Sequence, residues 1–375
     1  MSSGIMARFC AGCLLLGAPP WVAPASAAWS DFVPMGNTPL VGNPSCARYA
    51  EGSALCAAVG SGGKILFDFF NGKKWTGWKA EGKESVLSSD PSCTGSGIYD
   101  DTFYVICAAR AATGKMAAYQ YANGSYGGEV LIPLDIASAP SCAPLAGLQV
   151  AVGVLCAART SNGQLASAFH YESAWSAPWS QFPLNTPVYS PIDCAPDNEG
   201  NAICAWLTVG NAVATAQLQF NNSNGTLAWS GVLNLSGLFS SPPVCSDAGI
   251  TGQVGCFATG SNSSMYGSEF AGGSFTLSNW AGWGGFSGIV HGYGCADYGF
   301  ETQVEAYACG VTGLTNSGFW TSSLSGGSWS NWVQQGTDTY IGSPSCFALT
   351  RLVEPGVVMC VVLKADGTTA SITGP

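Results

Sequence analysis

Hydrophobic and polar residues trade places over short distances along this chain. Some segments alternate, as in Leu165-Ala166-Ser167-Ala168-Phe169-His170, and others are briefly all apolar, as in Leu155-Cys156-Ala157-Ala158. Glycine, asparagine, serine and proline close each segment. Period-two alternation and short apolar runs bounded by such residues predict β-strands joined by tight turns. Little of the chain carries the 3.6-residue period of a long amphipathic helix.

The pattern recurs. Seven successive cysteine pairs run along the chain: Cys46 with Cys56, Cys93 with Cys107, Cys142 with Cys156, Cys194 with Cys204, Cys245 with Cys256, Cys295 with Cys309, and Cys346 with Cys360. First members lie 47 to 52 residues apart and partners 10 to 14 apart. Asn43-Pro44-Ser45-Cys46, Asp90-Pro91-Ser92-Cys93, Ala139-Pro140-Ser141-Cys142 and Ser343-Pro344-Ser345-Cys346 open four units. Leu55-Cys56-Ala57-Ala58, Ile106-Cys107-Ala108-Ala109-Arg110 and Leu155-Cys156-Ala157-Ala158-Arg159 surround the second cysteine in three. A glycine turn and an alternating segment follow, and then a tryptophan-bearing close: Trp75 and Trp78, Trp175 and Trp179, Trp280 and Trp283, Trp329 and Trp332. The fourth unit has Trp229 alone, and the second has Tyr126 in the first tryptophan's place.

A unit of about 50 residues holding four short strands is the size and content of a propeller blade. The expectation is an all-β, seven-bladed β-propeller with four antiparallel strands per blade. The paired cysteines fall on the first and second strands, close enough for a disulfide in each blade. Spacing alone does not fix connectivity; the symmetry of the repeat favours pairing within the blade over a metal cluster, which would draw on histidine. The last unit stops at Pro375 without a tryptophan close. Trp29-Ser30-Asp31-Phe32-Val33-Pro34-Met35 matches Trp179-Ser180-Gln181-Phe182-Pro183-Leu184, so the segment from Trp29 is expected to supply the seventh blade's outer strand and close the ring.

Residues 1–28 have the layout of a secretory signal peptide: Arg8, an apolar stretch from Phe9 to Ala18, and a small-residue end at Ala25-Ser26-Ala27-Ala28. Pro19 and Pro20 end the apolar run short of the roughly 20 residues a membrane span needs. The expected organisation is residues 1–28 as signal peptide, with Cys10 and Cys13 lost with it, and 29–375 as one propeller domain in a secreted or periplasmic protein. Seven disulfides need that oxidising setting. Losing Arg8 leaves eleven Lys and Arg against 22 Asp and Glu, a formal balance of −11. Such a chain lacks the basic footprint of a nucleic-acid or anionic-membrane binder. At 47% hydrophobic and 9% charged residues it is also a poor candidate for disorder.

The cysteine-bearing openings, glycine turns and Trp-x-x-Trp closes resemble the seven-bladed bacterial lectins typified by the Photorhabdus lectin. That resemblance implies carbohydrate binding at repeated sites between blades, often of fucose or O-methylated sugars. It departs from the pattern in regularity, since the second and fourth units lack the tryptophan pair. Trp75, Trp78, Trp175, Trp179, Trp280, Trp283, Trp329 and Trp332 are the candidate sugar contacts, because a rigid ring matches the C–H face of a pyranose at low entropic cost. The same rings also suit packing between wedge-shaped blades. Arg110 and Arg159 share one repeat position and offer a fork of donors to sugar hydroxyls. Asp100, Asp101, Asp193 and Asp197 match no calcium loop and are expected in solvated turns. No catalytic residues, cofactor or metal are implied. The expected partners are glycans or glycan-coated surfaces, which several weak sites would engage together. A protein-docking or structural propeller, and a glycan-processing hydrolase, remain the alternatives.

Overall fold

A computed structural model describes residues 28–81, 85–95, 104–122, 124–145, 153–171, 174–176, 179–182, 187–221, 226–247, 252–271, 274–275, 281–282, 290–298, 306–313, 317–325, 328–350 and 356–374. The signal-peptide segment lies outside them apart from Ala28, as do Asp100 and Asp101.

Seven antiparallel sheets are arranged in a ring, one per repeat. In blade one, Ser45–Ala50 pairs with Ser53–Val59, that strand with Ile65–Phe70, and that in turn with Lys79–Ala80. The innermost strands of blades two to seven are Ser92–Gly95, Ser141–Leu145, Asp193–Pro196, Val244–Asp247, Val290–Asp297 and Tyr340–Thr350. Each lies against the next, and Tyr340–Thr350 lies against Ser45–Ala50, so the circle is complete.

The apolar Leu-Cys-Ala-Ala runs are explained by their place. The second strand of a blade is covered on both faces by neighbouring blades, so it cannot alternate; Cys56, Ala57 and Ala58 are all 0% exposed. The core is therefore seven clusters, each shared by two adjacent blades.

Within every blade the two cysteines face each other directly across the first and second strands and are joined as a disulfide. Cys46 is bonded to Cys56, Cys93 to Cys107, Cys142 to Cys156 and Cys194 to Cys204. Cys245 is bonded to Cys256, Cys295 to Cys309 and Cys346 to Cys360. Their Cα atoms are 4.0–4.1 Å apart, the close approach of directly opposed residues in an antiparallel pair. The connectivity that spacing left open is thus the one within the blade. The turn between second and third strands puts one left-handed residue at the same place each time: Gly63, Gly114, Gly163, Asn211, Ser263, Ser317 and Gly367. Glycine takes that conformation without a Cβ clash, and asparagine tolerates it.

The chain's first described segment closes the ring. Val33–Pro34 pairs with Thr369–Gly374 as the outer strand of blade seven. Its register refines the sequence match. Ser30 N donates to Thr373 O at 2.8 Å, and Thr373 N donates to Ser30 Oγ at 3.0 Å. The same double bond joins Ser330 to Ser323 and Ser176 to Phe169. Trp29 thus stands with Trp329 and Trp175, the first aromatic of the close, and not with Trp179.

The Pro-Ser-Cys motif also acquires a reason. Cys93 N donates to Ser45 Oγ, Cys142 N to Ser92 Oγ, Cys194 N to Ser141 Oγ and Cys46 N to Ser345 Oγ, each at 2.9 Å and each across a blade boundary. Innermost strands have a free edge, and these hydroxyls satisfy part of it. Asp193 holds the serine position in blade four: it accepts from Cys245 N at 2.7 Å and from Ser141 Oγ at 2.9 Å. Blade five has Val244 there, and a different bond crosses this boundary: the phenol of Tyr293 from blade six donates to Phe257 O at 2.8 Å and lies 3.0 Å from Ser241 Oγ. Asp193 and Asp197 are therefore corrections to the sequence expectation. Neither lies in a solvated turn. Asp193 is half-buried in a strand of this girdle, and Asp197 is 1% exposed, accepting from Glu199 N, Asn201 N and Gln217 Nε2.

Candidate functional site

The closing aromatics lie along the seams between blades. In six of the seven blades an outer-strand aromatic stands opposite a fixed position of its own blade's third strand: Trp75 opposite Phe70, Tyr126 opposite Tyr121, Trp175 opposite His170, Trp229 opposite Leu218, Phe275 opposite Phe270 and Trp329 opposite Leu324. In blade five Phe275 holds this register, so the sequence pairing of Trp280 with Trp329 is shifted; Trp280 and Trp283 themselves lie outside the described residues. Trp179 begins the outer segment Trp179–Phe182, opposite Ser167.

The seam between blades seven and one is shut. Trp75 and Trp78 are 9% and 7% exposed. Trp75 Nε1 donates to Ser371 Oγ at 2.9 Å and Trp78 Nε1 to Thr369 Oγ1 at 2.8 Å, both in blade seven. Within blade one, Asp68 Oδ1 fixes the intervening turn by accepting from Thr76 Oγ1 at 3.1 Å and Gly77 N at 2.8 Å. Burial pushes the Asp68 carboxyl up to about 6 in spite of those donors. This pair acts as packing: both indole N–H groups are engaged by the protein itself.

Elsewhere the same register is filled differently. Ser371 and Thr369 lie one and three residues before the third-strand partner of the blade's second cysteine, Cys360. In blade five the corresponding positions, counted from the partner of Cys256, are Gly267 and Met265; in blade two they are Ala118 and Met116. None of the four has a hydroxyl. Trp329 and Trp332 lie against the cluster containing Met265, and Trp175 against the one containing Met116 and Ala118, all three only partly buried. Trp329 also meets Phe257 edge-on at 6.3 Å.

The arginines are placed apart from these rings. Arg159 sits opposite Leu165 at one end of the third strand Leu165–Tyr171, whereas Trp175 lies opposite His170 at the other. Arg110 is tied down, its Nε donating to Ile136 O at 2.6 Å and Nη1 to Ser88 Oγ at 2.9 Å. What sequence reasoning missed is His170, a 1%-exposed imidazole among the seam aromatics; the signal was a histidine at a repeat position that holds Phe70 or Leu218 in other units.

Among solved structures, the chain is similar to the lectin BP39L of Burkholderia pseudomallei, with a TM-score of 0.70 and 14% identity over 90% of this chain and 96% of that one. It is also similar to an Aleuria aurantia lectin variant in complex with Fucα1-6GlcNAc, with a TM-score of 0.53 and 12% identity over 80% and 98% of the two chains. A Hadza microbial sialidase follows at 0.51 and 9% identity, over 87% and 74%. No family profile and no curated protein sequence matches. At these identities the likeness shows the fold alone.

Proposed function

We propose that this is a secreted, non-catalytic carbohydrate-binding propeller whose working sites are a subset of its blade seams. The observation that carries the reading is the contrast in one register. The tryptophan pair of blade one is sealed by Ser371 and Thr369, while Trp329 and Trp332 are only partly buried against the cluster containing Met265. A partly exposed, rigidly packed indole pair suits the C–H face of a neutral sugar and needs no charged partner. Similarity to a fucose-liganded lectin makes fucosylated glycans the first class to test. Secretion is supported by the seven disulfides and by the signal-peptide pattern.

The test is a glycan array on the secreted protein, followed by calorimetry with W332A. Fucosylated glycans should be retained, and W332A should bind fewer equivalents of sugar per chain with the fold intact. Absence of any retained glycan, or unchanged stoichiometry and affinity in W332A, overturns the reading. Hydrolysis of a chromogenic glycoside would replace it with an enzyme.

A further inference from the structure

We propose that the outer edge of blade one is a cationic docking strip for a polyanionic polysaccharide, with Lys73, Lys74 and Lys79 meeting the carboxylate or sulfate groups of that chain. The strip extends the carbohydrate-binding reading to charged glycans and uses none of the partly buried tryptophans.

Charge is spread unevenly around the ring. Residues 40–88, which hold blade one, carry six Lys and Arg against four Asp and Glu, whereas the rest of the chain from residue 29 carries five against 18. Residues 160–350 contain no Lys or Arg at all. The excess in blade one sits where the repeat is otherwise neutral. Lys74 immediately precedes the first aromatic of its close, and the residue at that place in other blades is Ser125, Ala174, Ala228, Ser274 or Ser328. Packing of the close therefore calls for no cation.

Lys73, Lys74 and Lys79 are exposed and hold no ion pair among the described residues. Lys115 and Lys364, by contrast, are paired, with Asp135 at 2.8 Å and with Asp338 at 2.5 Å. Residues 71–79 contain no acid. Asp68, on the adjoining strand, is 1% exposed and turned onto Thr76 Oγ1 and Gly77 N. The backbone under the strip is fixed. Asn71 Oδ1 accepts from Lys73 N and Lys74 N at 3.1 Å each, and the two indoles between Lys74 and Lys79 are locked to Ser371 and Thr369 of blade seven. A strip so mounted has only its side chains to order on binding.

The dimensions favour a polymer. Asn71 N donates to Lys74 O, and Lys79 stands opposite Phe67. Asn71 and Phe67 are four residues apart, about 13 Å along extended backbone. That span exceeds one sugar ring and suits a glycan with an anion on each repeat unit. Residues 71–79 expose no large apolar side chain that could enter a bilayer. The acidic remainder of the ring repels a polyanion, so approach is steered to this edge.

Dextran sulfate is the probe, with uncharged dextran as control, titrated onto the secreted protein at stepped salt. The wild type should bind the first and not the second. Its log Kd should rise with log salt by nearly one per lysine, from counterion release. K73A/K74A/K79A should weaken binding at least about tenfold, since each exposed ion pair contributes up to about fivefold, and should flatten the salt slope with no fall in melting temperature. K73R/K74R/K79R should keep both. K115A/K364A, which removes cations already paired, should bind as the wild type does. No binding by the wild type, salt-independent binding, or equal losses in K73A/K74A/K79A and K115A/K364A overturns the strip. So does tighter binding of phosphatidylglycerol vesicles through the same lysines, which would make the partner a lipid surface. Should the alanine variant misfold, the wild-type salt slope and K115A/K364A decide. The seam reading fails separately: dextran sulfate bound without any neutral glycan removes the seams and keeps the strip, and the reverse removes the strip alone.

Discussion

The seam between blades seven and one and the seam between blades five and six share a register and use it oppositely. Both set two outer-strand tryptophans against the third strand of the preceding blade. Ser371 and Thr369 turn the first into a hydrogen-bonded seal; Gly267 and Met265 leave the second without those acceptors. The difference teaches that in a propeller the repeat supplies the rings, and the facing blade decides whether a ring is packing or surface. The sealed seam is also the one that joins the last repeat to the first. Its closing segment is short, Val33–Pro34, so added side-chain bonds matter most there.

Truncation breaks the comparison most directly. W75A should cost about 3–5 kcal/mol of stability, the usual range for removing a well-packed tryptophan, and leave sugar bound at the other seams. W332A should cost less stability and more binding. Chemical denaturation and calorimetry on the two variants check this. Equal stability losses with equal binding losses would erase the distinction between the seams.

The ring was legible because seven copies average out local accidents. Cysteine pairs from Cys46 and Cys56 to Cys346 and Cys360, Leu-Cys-Ala-Ala runs and left-handed turns each recur at one register, and together they specify a blade. The site was less legible because it depends on pairs of residues from different repeats. Trp75 meets Ser371 across 296 positions of chain, and no spacing rule links them. Pro-Ser-Cys was visible as a motif while its purpose was not, since the hydroxyl serves the next blade's Cys N–H and not its own turn. Blade five is a similar case: Phe275, which is no tryptophan, holds the register opposite Phe270.

Acidity sharpens the comparison at the inner girdle. The seam from blade seven to one is latched there by neutral Ser345, whereas Asp193 latches blade four to five. Desolvation in the girdle pushes the Asp193 carboxyl up to about 6, against an ordinary 3.8, and its three hydrogen-bond donors only partly offset that. A raised carboxyl favours the folded state while protonated. Its contribution is full below about pH 4 and is lost as pH rises through 6, a change of up to about 3 kcal/mol. D193S, which restores the residue found in four other blades, should flatten the stability-versus-pH curve between pH 4 and 6. Asp68, raised to a similar value, leaves a residual slope. Equilibrium unfolding at stepped pH reads both, and an unchanged slope in D193S would show that the buried carboxylate is stabilised by contacts other than these.

The smallest expected effect probes the cause of the contrast itself. S371A and T369V each remove one acceptor from a buried indole N–H while keeping most of the side-chain volume. An unsatisfied buried donor costs about 1–3 kcal/mol, so each variant should lower the unfolding free energy by roughly that amount, and the two together by somewhat less than the sum, because loosening one indole lets water reach the other. Neither should create sugar binding at once, since Trp75 and Trp78 remain packed by Met35, Leu40 and Met359. If both variants are as stable as the wild type, the hydroxyls are passengers. Apolar packing would then be what closes this seam, and the lack of a hydroxyl at Gly267 and Met265 would cease to explain why Trp329 and Trp332 are only partly buried.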